Sequence, residues 1–320
     1  MKQKLKTSEL LIIVSFLALP LFIYTTVEIV TIGSAFRISF TRWTGGKFEW
    51  IGLSNYLRIF SHPMARTAAL NTVVFTLVTV SITVLFSFGI ALGVNSPAVA
   101  LKNIFILIFV IPQSVAAATA GIIWSAIYAP ELGLLNIALR KIGLGSIAIP
   151  WLGEPKAALF ALAFAQLWIK MGFYLLMFYN RLRALPKDLM DSAKIDGATV
   201  QQAVRKIVIP LCRPVFSLVV VLTIIDALRT FDIIFATTKG GPAASTEVLG
   251  TLIFREAFTK LNFGYASALS TVLFAIAMII TFFYLTQTLP VTISVSLFSD
   301  KNRVDRIGVN QMMAGTMIKK

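Results

Sequence analysis

Six runs of mostly apolar residues, roughly 10–30, 71–94, 104–127, 157–179, 215–236 and 265–286, decide what this 320-residue chain can fold into. An α-helix rises about 1.5 Å per residue, so about 20 such residues cross the hydrocarbon of a bilayer. The chain is 57% hydrophobic and only 13% charged, whereas soluble domains sit near 45–50% and about 25%. One water-soluble core cannot absorb that much apolar surface, so the outer faces of the runs belong in lipid. The pattern predicts an all-α membrane protein with six transmembrane helices. Lys2, Lys4 and Lys6 precede the first run as in a signal peptide, but the run is longer than a usual leader core and lacks a convincing small-residue cleavage site. It is read as a retained helix.

The net charge of +15 lies mainly between the runs, which fits lipid headgroups and membrane orientation better than nucleic acid. With the N-terminus inside, the inner segments hold sixteen Lys and Arg residues against eleven outside. That bias, with an even number of helices, predicts both termini in the cytoplasm of a cell (inner or plasma) membrane protein. The expected division is a cytoplasmic tail at 1–9, a transmembrane domain at 10–289 carrying a cytoplasmic loop at 184–213, and a cytoplasmic tail at 290–320. Trp43, Trp50 and Tyr56 in the first outer loop suit a membrane interface. A single cysteine, Cys212, and a single histidine, His62, exclude an internal disulfide and a Cys/His metal cluster.

The loop between the fourth and fifth runs is too polar to cross a membrane. Pro186 and Asp188 suit a helix start, Gly197 can break or turn the helix, and Thr199 can cap a second helix that Pro210 would stop. Two short helices at an angle follow, and an interfacial helix resting on lipid is the alternative on these grounds alone.

The same stretch resembles the E-A-A-x-x-D-G-A loop of ABC-importer permeases. Asp191, Ser192 and Ala193 stand at the E-A-A, Asp196, Gly197 and Ala198 at the D-G-A, and Val204, Ile207, Ile209 and Pro210 at the F-x-x-I-x-L-P that follows. Asp replaces Glu, Ser replaces Ala, Val replaces Phe and Ile replaces Leu; Val204 thus offers a smaller knob to an ATPase surface. The stretch from Thr230-Phe231-Asp232 through Gly240-Gly241-Pro242 and Thr246-Glu247-Val248-Leu249 to Phe263-Gly264-Tyr265 resembles the maltose and glycerol-phosphate permease branch, as does Trp50-Ile51-Gly52-Leu53 more weakly. The resemblance implies the type I importer permease fold, a second permease subunit, an ATPase dimer, an extracytoplasmic solute-binding protein and a small carbohydrate-like substrate. Neither Gly45-Gly46 nor Gly240-Gly241 is followed by G-K-[ST], so a phosphate-binding loop is missing; no cofactor is expected in this chain, with ATP and Mg on the partner ATPase subunits. The loop residues Asp191, Ser192, Ala193, Asp196, Gly197, Ala198, Val204, Ile207 and Pro210 would then couple the permease to ATP hydrolysis as a rigid handle. The carboxylates either bond basic groups there or merely cap and solubilise the loop.

Ionisable residues inside a span are costly and usually face protein or water. Gln166, Lys170 and Phe173 form one helical stripe, and Thr223, Asp226, Ala227 and Thr230 another, with Arg229 beside it. By the resemblance, these residues and Tyr174 line a substrate cavity, where fixed donors and acceptors would meet hydroxyls and rings would meet a sugar face. Pairing of Asp226 with Arg229 or with Lys170 is the competing role. Lys170 and Arg229 also admit an anionic solute such as a phosphorylated or sulfonated polyol. Pro112 is expected to bend the third helix, with Gln113 either satisfying freed backbone or lining the pathway. A channel or secondary transporter working without ATPases is the alternative function, although the sequence has no visible internal repeat. A membrane enzyme lacks a catalytic constellation.

Overall fold

The computed structural model describes residues 7–96 and 99–286. The chain runs through α1 (Thr7–Ile38), a hairpin of β1 (Thr41–Trp43) and β2 (Phe48–Trp50), α2 (Ser54–Ser61), α3 (Pro63–Asn95), α4 (Lys102–Val110), α5 (Ala117–Ile127) and α6 (Leu134–Lys141). It continues through α7 (Pro155–Arg183), α8 (Lys187–Ile195), α9 (Val200–Ala203), α10 (Ile209–Leu211), α11 (Arg213–Leu228), α12 (Asp232–Thr237) and α13 (Leu249–Phe254) to α14 (Phe263–Thr286). By packing, residues 1–274 and 275–320 form two units, the second described only along the last turns of α14. The expected tail at 290–320 and residues 1–6 of the other tail lie outside the described residues.

Among the described residues four helices, α1, α3, α7 and α14, are long and apolar enough to cross a membrane, and two bent pairs bring the number to six if each pair is one span. The first helix is longer than its apolar run, beginning at Thr7 and ending at Ile38. The third run is not one bent helix. It breaks by 106° between α4 and α5, through a tight turn at Ile111–Ser114 followed by extended backbone at Val115 and Ala116. Pro112, with no N–H to donate, sits in that turn. The fifth run also departs from a continuous helix: α11 stops at Leu228, and α12 resumes only at Asp232. Gly250 lies where α11 ends; a Cβ there would stand 2.7 Å from the Thr230 carbonyl oxygen.

The packing centre is α7, whose Ala158, Ala161, Ala163 and Ala165 are buried. Small residues let helix backbones approach closely in a membrane, where apolar burial gives no preference for protein over lipid. Gly172 shows the closeness required: a Cβ there would lie 2.2 Å from the Phe109 carbonyl oxygen and 2.6 Å from the Val110 Cα. On α3, the hydroxyl residues Thr72, Thr76, Thr79, Thr83 and Ser87 occupy one helical face and are buried. Ser87 Oγ reaches the Met171 carbonyl at 3.4 Å, so that face packs on α7.

The segments joining α1 to α3 and α12 to α13 are pinned by side-chain to backbone bonds. Asn55 Nδ2 donates to the carbonyls of Ser39 and Thr41 at 2.8 and 2.9 Å, and Asn71 Nδ2 to those of Ala244 and Glu247 at 3.0 and 2.9 Å. Each amide thus ties together two carbonyls of a connecting segment through charge-free donor bonds. Trp50 stacks on Phe40 with centroids 5.3 Å apart, and Tyr56 shares a 2.7 Å hydrogen bond with Ser39.

Candidate functional site

Between α7 and α11 the chain leaves the helical bundle and returns as two short helices. The first, α8, ends on Gly197, which adopts φ +75°. The Gly197 N–H bonds the Lys194 carbonyl at 3.0 Å and the Ala198 N–H bonds the Ala193 carbonyl at 2.9 Å, the paired closure of a glycine-terminated helix. Two residues later Thr199 caps α9: its hydroxyl accepts from the Gln202 N–H at 3.3 Å, and the Gln202 side chain accepts from the Thr199 N–H at 2.9 Å. The turn is therefore fixed from both sides. Pro186 is the residue before the first helical turn rather than within it. Pro210 does not stop the second helix. A wider π-type turn at Val204–Val208 precedes it and the helix runs to Leu211, accommodating a residue that cannot donate to the turn before.

The ends of this loop are anchored. Val208 and Cys212 are buried with Phe178 and Leu182 of α7, and the Arg181 guanidinium donates twice to the Leu211 carbonyl, at 3.2 and 2.8 Å. Of the residues matched to the loop motif, Asp191, Ser192, Asp196, Gly197 and Pro210 are exposed, Ala193 is buried, and Ala198, Val204 and Ile207 are half-buried. Asp191 forms a 3.4 Å ion pair with Lys194 within the same helix. The most projecting apolar side chains are instead Ile195 and Val200, 86% and 81% exposed, one on each side of the Gly197 turn. The sequence reading did not single them out.

The second cluster lies between α7 and α11. Lys170 Nζ stands 3.4 Å from Asp226 Oδ2, each side chain 36% exposed, and the Tyr174 hydroxyl donates to the same oxygen at 2.8 Å. Of the two pairings open to Asp226, the interhelical one with Lys170 forms; Arg229 is exposed and outside the pair. Phe173 is exposed, its ring edge-on to Tyr174 at 5.3 Å. Gln166, Tyr174, Thr223, Ala227 and Thr230 are buried. The Thr223 and Thr230 hydroxyls donate to carbonyls of their own helix, at Val219 (2.7 Å) and Asp226 (2.9 Å). Lys170, Phe173 and Asp226 thus remain the accessible members of the two stripes. Chemically they offer a cation, a carboxylate and an aromatic face side by side.

A third feature was missed by sequence reasoning. Glu247 and Glu256 are both 0% exposed. Arg255 pairs with Glu247 and also donates to the Lys239 carbonyl at 3.2 Å, while Lys260 pairs with Glu256 at 2.6 Å. Burial pushes the Glu247 carboxyl above its ordinary value, against the pull of Arg255, Thr251 and Lys260. Gly240, at φ +91°, leaves the space this pair occupies: a Cβ there would meet the Glu247 carboxylate and the Arg255 guanidinium. The i, i+4 spacing of Glu256 and Lys260 was a readable signal; the burial of Glu247 was not.

A helical protein with several apolar spans, two of them broken, and a capped helical loop between α7 and α11 has the make-up of a membrane permease. Residues 68–294 match the family described as binding-protein-dependent transport system inner membrane component, and the chain belongs to that family. It is 33% identical over 252 residues to the sulfoquinovosyl glycerol transport system permease protein of Agrobacterium fabrum, spanning 79% of this chain and 80% of that one. It is 33% identical over 236 residues to the trehalose/maltose transport system permease protein of Thermococcus litoralis, spanning 74% and 79%. The fold matches a crystal structure of a bacterial ABC transporter involved in import of the acidic polysaccharide alginate, with TM-score 0.75 and 19% identity over 88% of this chain and 96% of that one. The chain is a multi-pass permease of an ATP-driven importer that works with a solute-binding protein.

Proposed function

We propose that this chain forms half of the pathway for a sugar, polyol or related glycoside, beside a second permease subunit. Hydrolysis of ATP, with its Mg ion, belongs to a separate ATPase dimer, and the loop from Pro186 to Leu211 is the handle seated in it, at the cytoplasmic face with both termini. The observation that carries this reading is the loop's construction: a turn locked by Gly197 and Thr199, two projecting apolar side chains, and both ends tied to α7 and α11. A loop built so transmits displacement rather than absorbing it, because its backbone bonds leave few soft torsions. The relatives transporting glycosides and disaccharides support the solute class. An ATPase-independent channel or secondary transporter gives no reason for such a handle.

Lys170, Asp226, Tyr174 and Phe173 are the solute-facing group in this reading, with the buried Gln166, Thr223, Ala227 and Thr230 setting the shape behind them. The carboxylate accepts from solute hydroxyls, the ammonium donates, and the ring meets an apolar sugar face. Losing one hydrogen bond to a charged group costs about 1.5–3 kcal/mol. Lys170→Ala and Asp226→Ala are therefore each expected to slow uptake roughly tenfold or more at low solute, with normal insertion and ATPase assembly. Radiolabelled uptake in vesicles of the assembled transporter reads this directly. Unchanged rate and unchanged solute preference in both variants would remove the pair from the site.

A further inference from the structure

Where α7 leaves the bundle towards α8, a polar cavity of about 520 Å³ opens between the end of α3, the start of α4 and the end of α7, lined among others by Asn95, Lys102, Asn103, Tyr179 and Arg183. It has two cations and no acidic side chain in its lining. Among the described residues neither Lys102 nor Arg183 forms an ion pair. Lys102 Nζ is steered by a 3.3 Å bond to the Asn95 carbonyl, and the Arg183 guanidinium lies 5.9 Å from the Tyr179 ring centroid. A second cavity of about 320 Å³ shares Asn103 and Tyr179 with the first and is otherwise mostly apolar, lined by Ile106, Leu107, Val110 and Leu176 with Asn180.

The two cavities follow one direction. Along α4 the lining passes from Lys102 and Asn103 to Ile106, Leu107 and Val110, a climb of about 12 Å. That compares with about 15 Å for half of the hydrocarbon thickness. A cationic end opening onto an apolar groove of that length fits a headgroup and the upper part of an acyl chain. Free phosphate would use only the cationic end. Ile104, Phe105, Leu107 and Ile108 are exposed on the same helix, so α4 presents its apolar surface outward as a lipid-facing helix does. We propose that Lys102 and Arg183, with Asn95, Asn103 and Tyr179, hold the phosphate of an anionic phospholipid whose acyl chain lies between α4 and α7. Seated at the base of α7, the lipid joins the break after α4 to the helix that feeds α8. The inference needs only that the chain spans a bilayer, and it stands whether or not the loop is an ATPase handle.

The test is native mass spectrometry of the transporter extracted in mild detergent and exchanged into micelles carrying graded phosphatidylglycerol or phosphatidylcholine. The wild type should retain phosphatidylglycerol in preference to phosphatidylcholine. Lys102→Gln/Arg183→Gln should lower phosphatidylglycerol retention roughly tenfold and leave phosphatidylcholine unchanged. Leu107→Trp, filling the groove, should weaken both. Equal retention of the two lipids by the wild type would overturn the proposal without recourse to a variant, as would undiminished retention by the double variant. Displacement of the lipid by glycerol 3-phosphate alone would identify a soluble phosphate site instead, and absence of any retained lipid would assign the groove to a neighbouring helix of the assembly.

Discussion

Replacing Ile195 and Val200 together by aspartate is expected to abolish ATP-driven uptake while the permease still inserts at normal levels. Both side chains already face water in the isolated chain, so the fold loses almost nothing from the change. A partner surface that covers them gains about 1.5–3 kcal/mol for each, which makes the pair worth at least a hundredfold in affinity. Aspartate removes that gain and adds the cost of burying a charge. Copurification of the ATPase with tagged permease should fall with uptake. Val204→Ala makes the contrast: Val204 is half-buried, so its truncation is expected to matter less. A full loss from Val204→Ala with normal transport in the Ile195/Val200 variant would place the docking surface on the other face of the loop. Gly197→Trp should also abolish transport, because the indole would have to be carried at φ +75°, a conformation that costs a non-glycine residue about 1–2 kcal/mol.

Arg255→Ala is expected to be the most damaging single change to folding. It strands the fully buried Glu247, and breaking one side of a buried ion pair costs about 3–5 kcal/mol. Glu247→Gln in the same background should recover much of the loss, since a neutral amide needs no counter-charge. The pH dependence follows from the raised Glu247 carboxyl. A carboxyl that titrates above its unfolded value contributes most when protonated, and its contribution shrinks as pH rises through the folded value. The Arg255→Ala variant should therefore be less unstable at mildly acidic pH than at neutral pH. Thermal unfolding followed by size-exclusion fluorescence gives the comparison; equal melting of Arg255→Ala and wild type at neutral pH would contradict it.

The parts of this molecule that obey local rules were readable in advance. A span must be apolar for about 20 residues whatever it packs against, so the regions of the runs were legible, including α14. Gly197 and Thr199 announce a turn through their own backbone and hydroxyl chemistry, and the structure uses both. Other features depend on distant neighbours. Pro112 marked a bend, but the 106° break also involves α4 lying against Gly172 of α7, which the third run cannot reveal. Pro210 looked like a stop, yet a π-type turn one step earlier absorbs it. The prominence of Ile195 and Val200 over Val204 arises because the second loop helix folds Ala203 and Val208 inward. Glu247 lies in an ordinary polar loop by sequence; its partner Arg255 is eight residues on, across Val248–Phe254, and only tertiary packing buries Glu247 beneath the half-buried guanidinium. Lys170 was one of two possible partners for Asp226, and the choice was made by the approach of α7 to α11.

In the proposed function, the loop from Pro186 to Leu211 passes on the work of ATP hydrolysis done elsewhere. Solute uptake by sealed vesicles holding this chain and its sister permease, with the binding protein outside, tests it most directly. Uptake should need both the ATPase subunits and ATP on the loop side; equally fast uptake with neither supplied would contradict it.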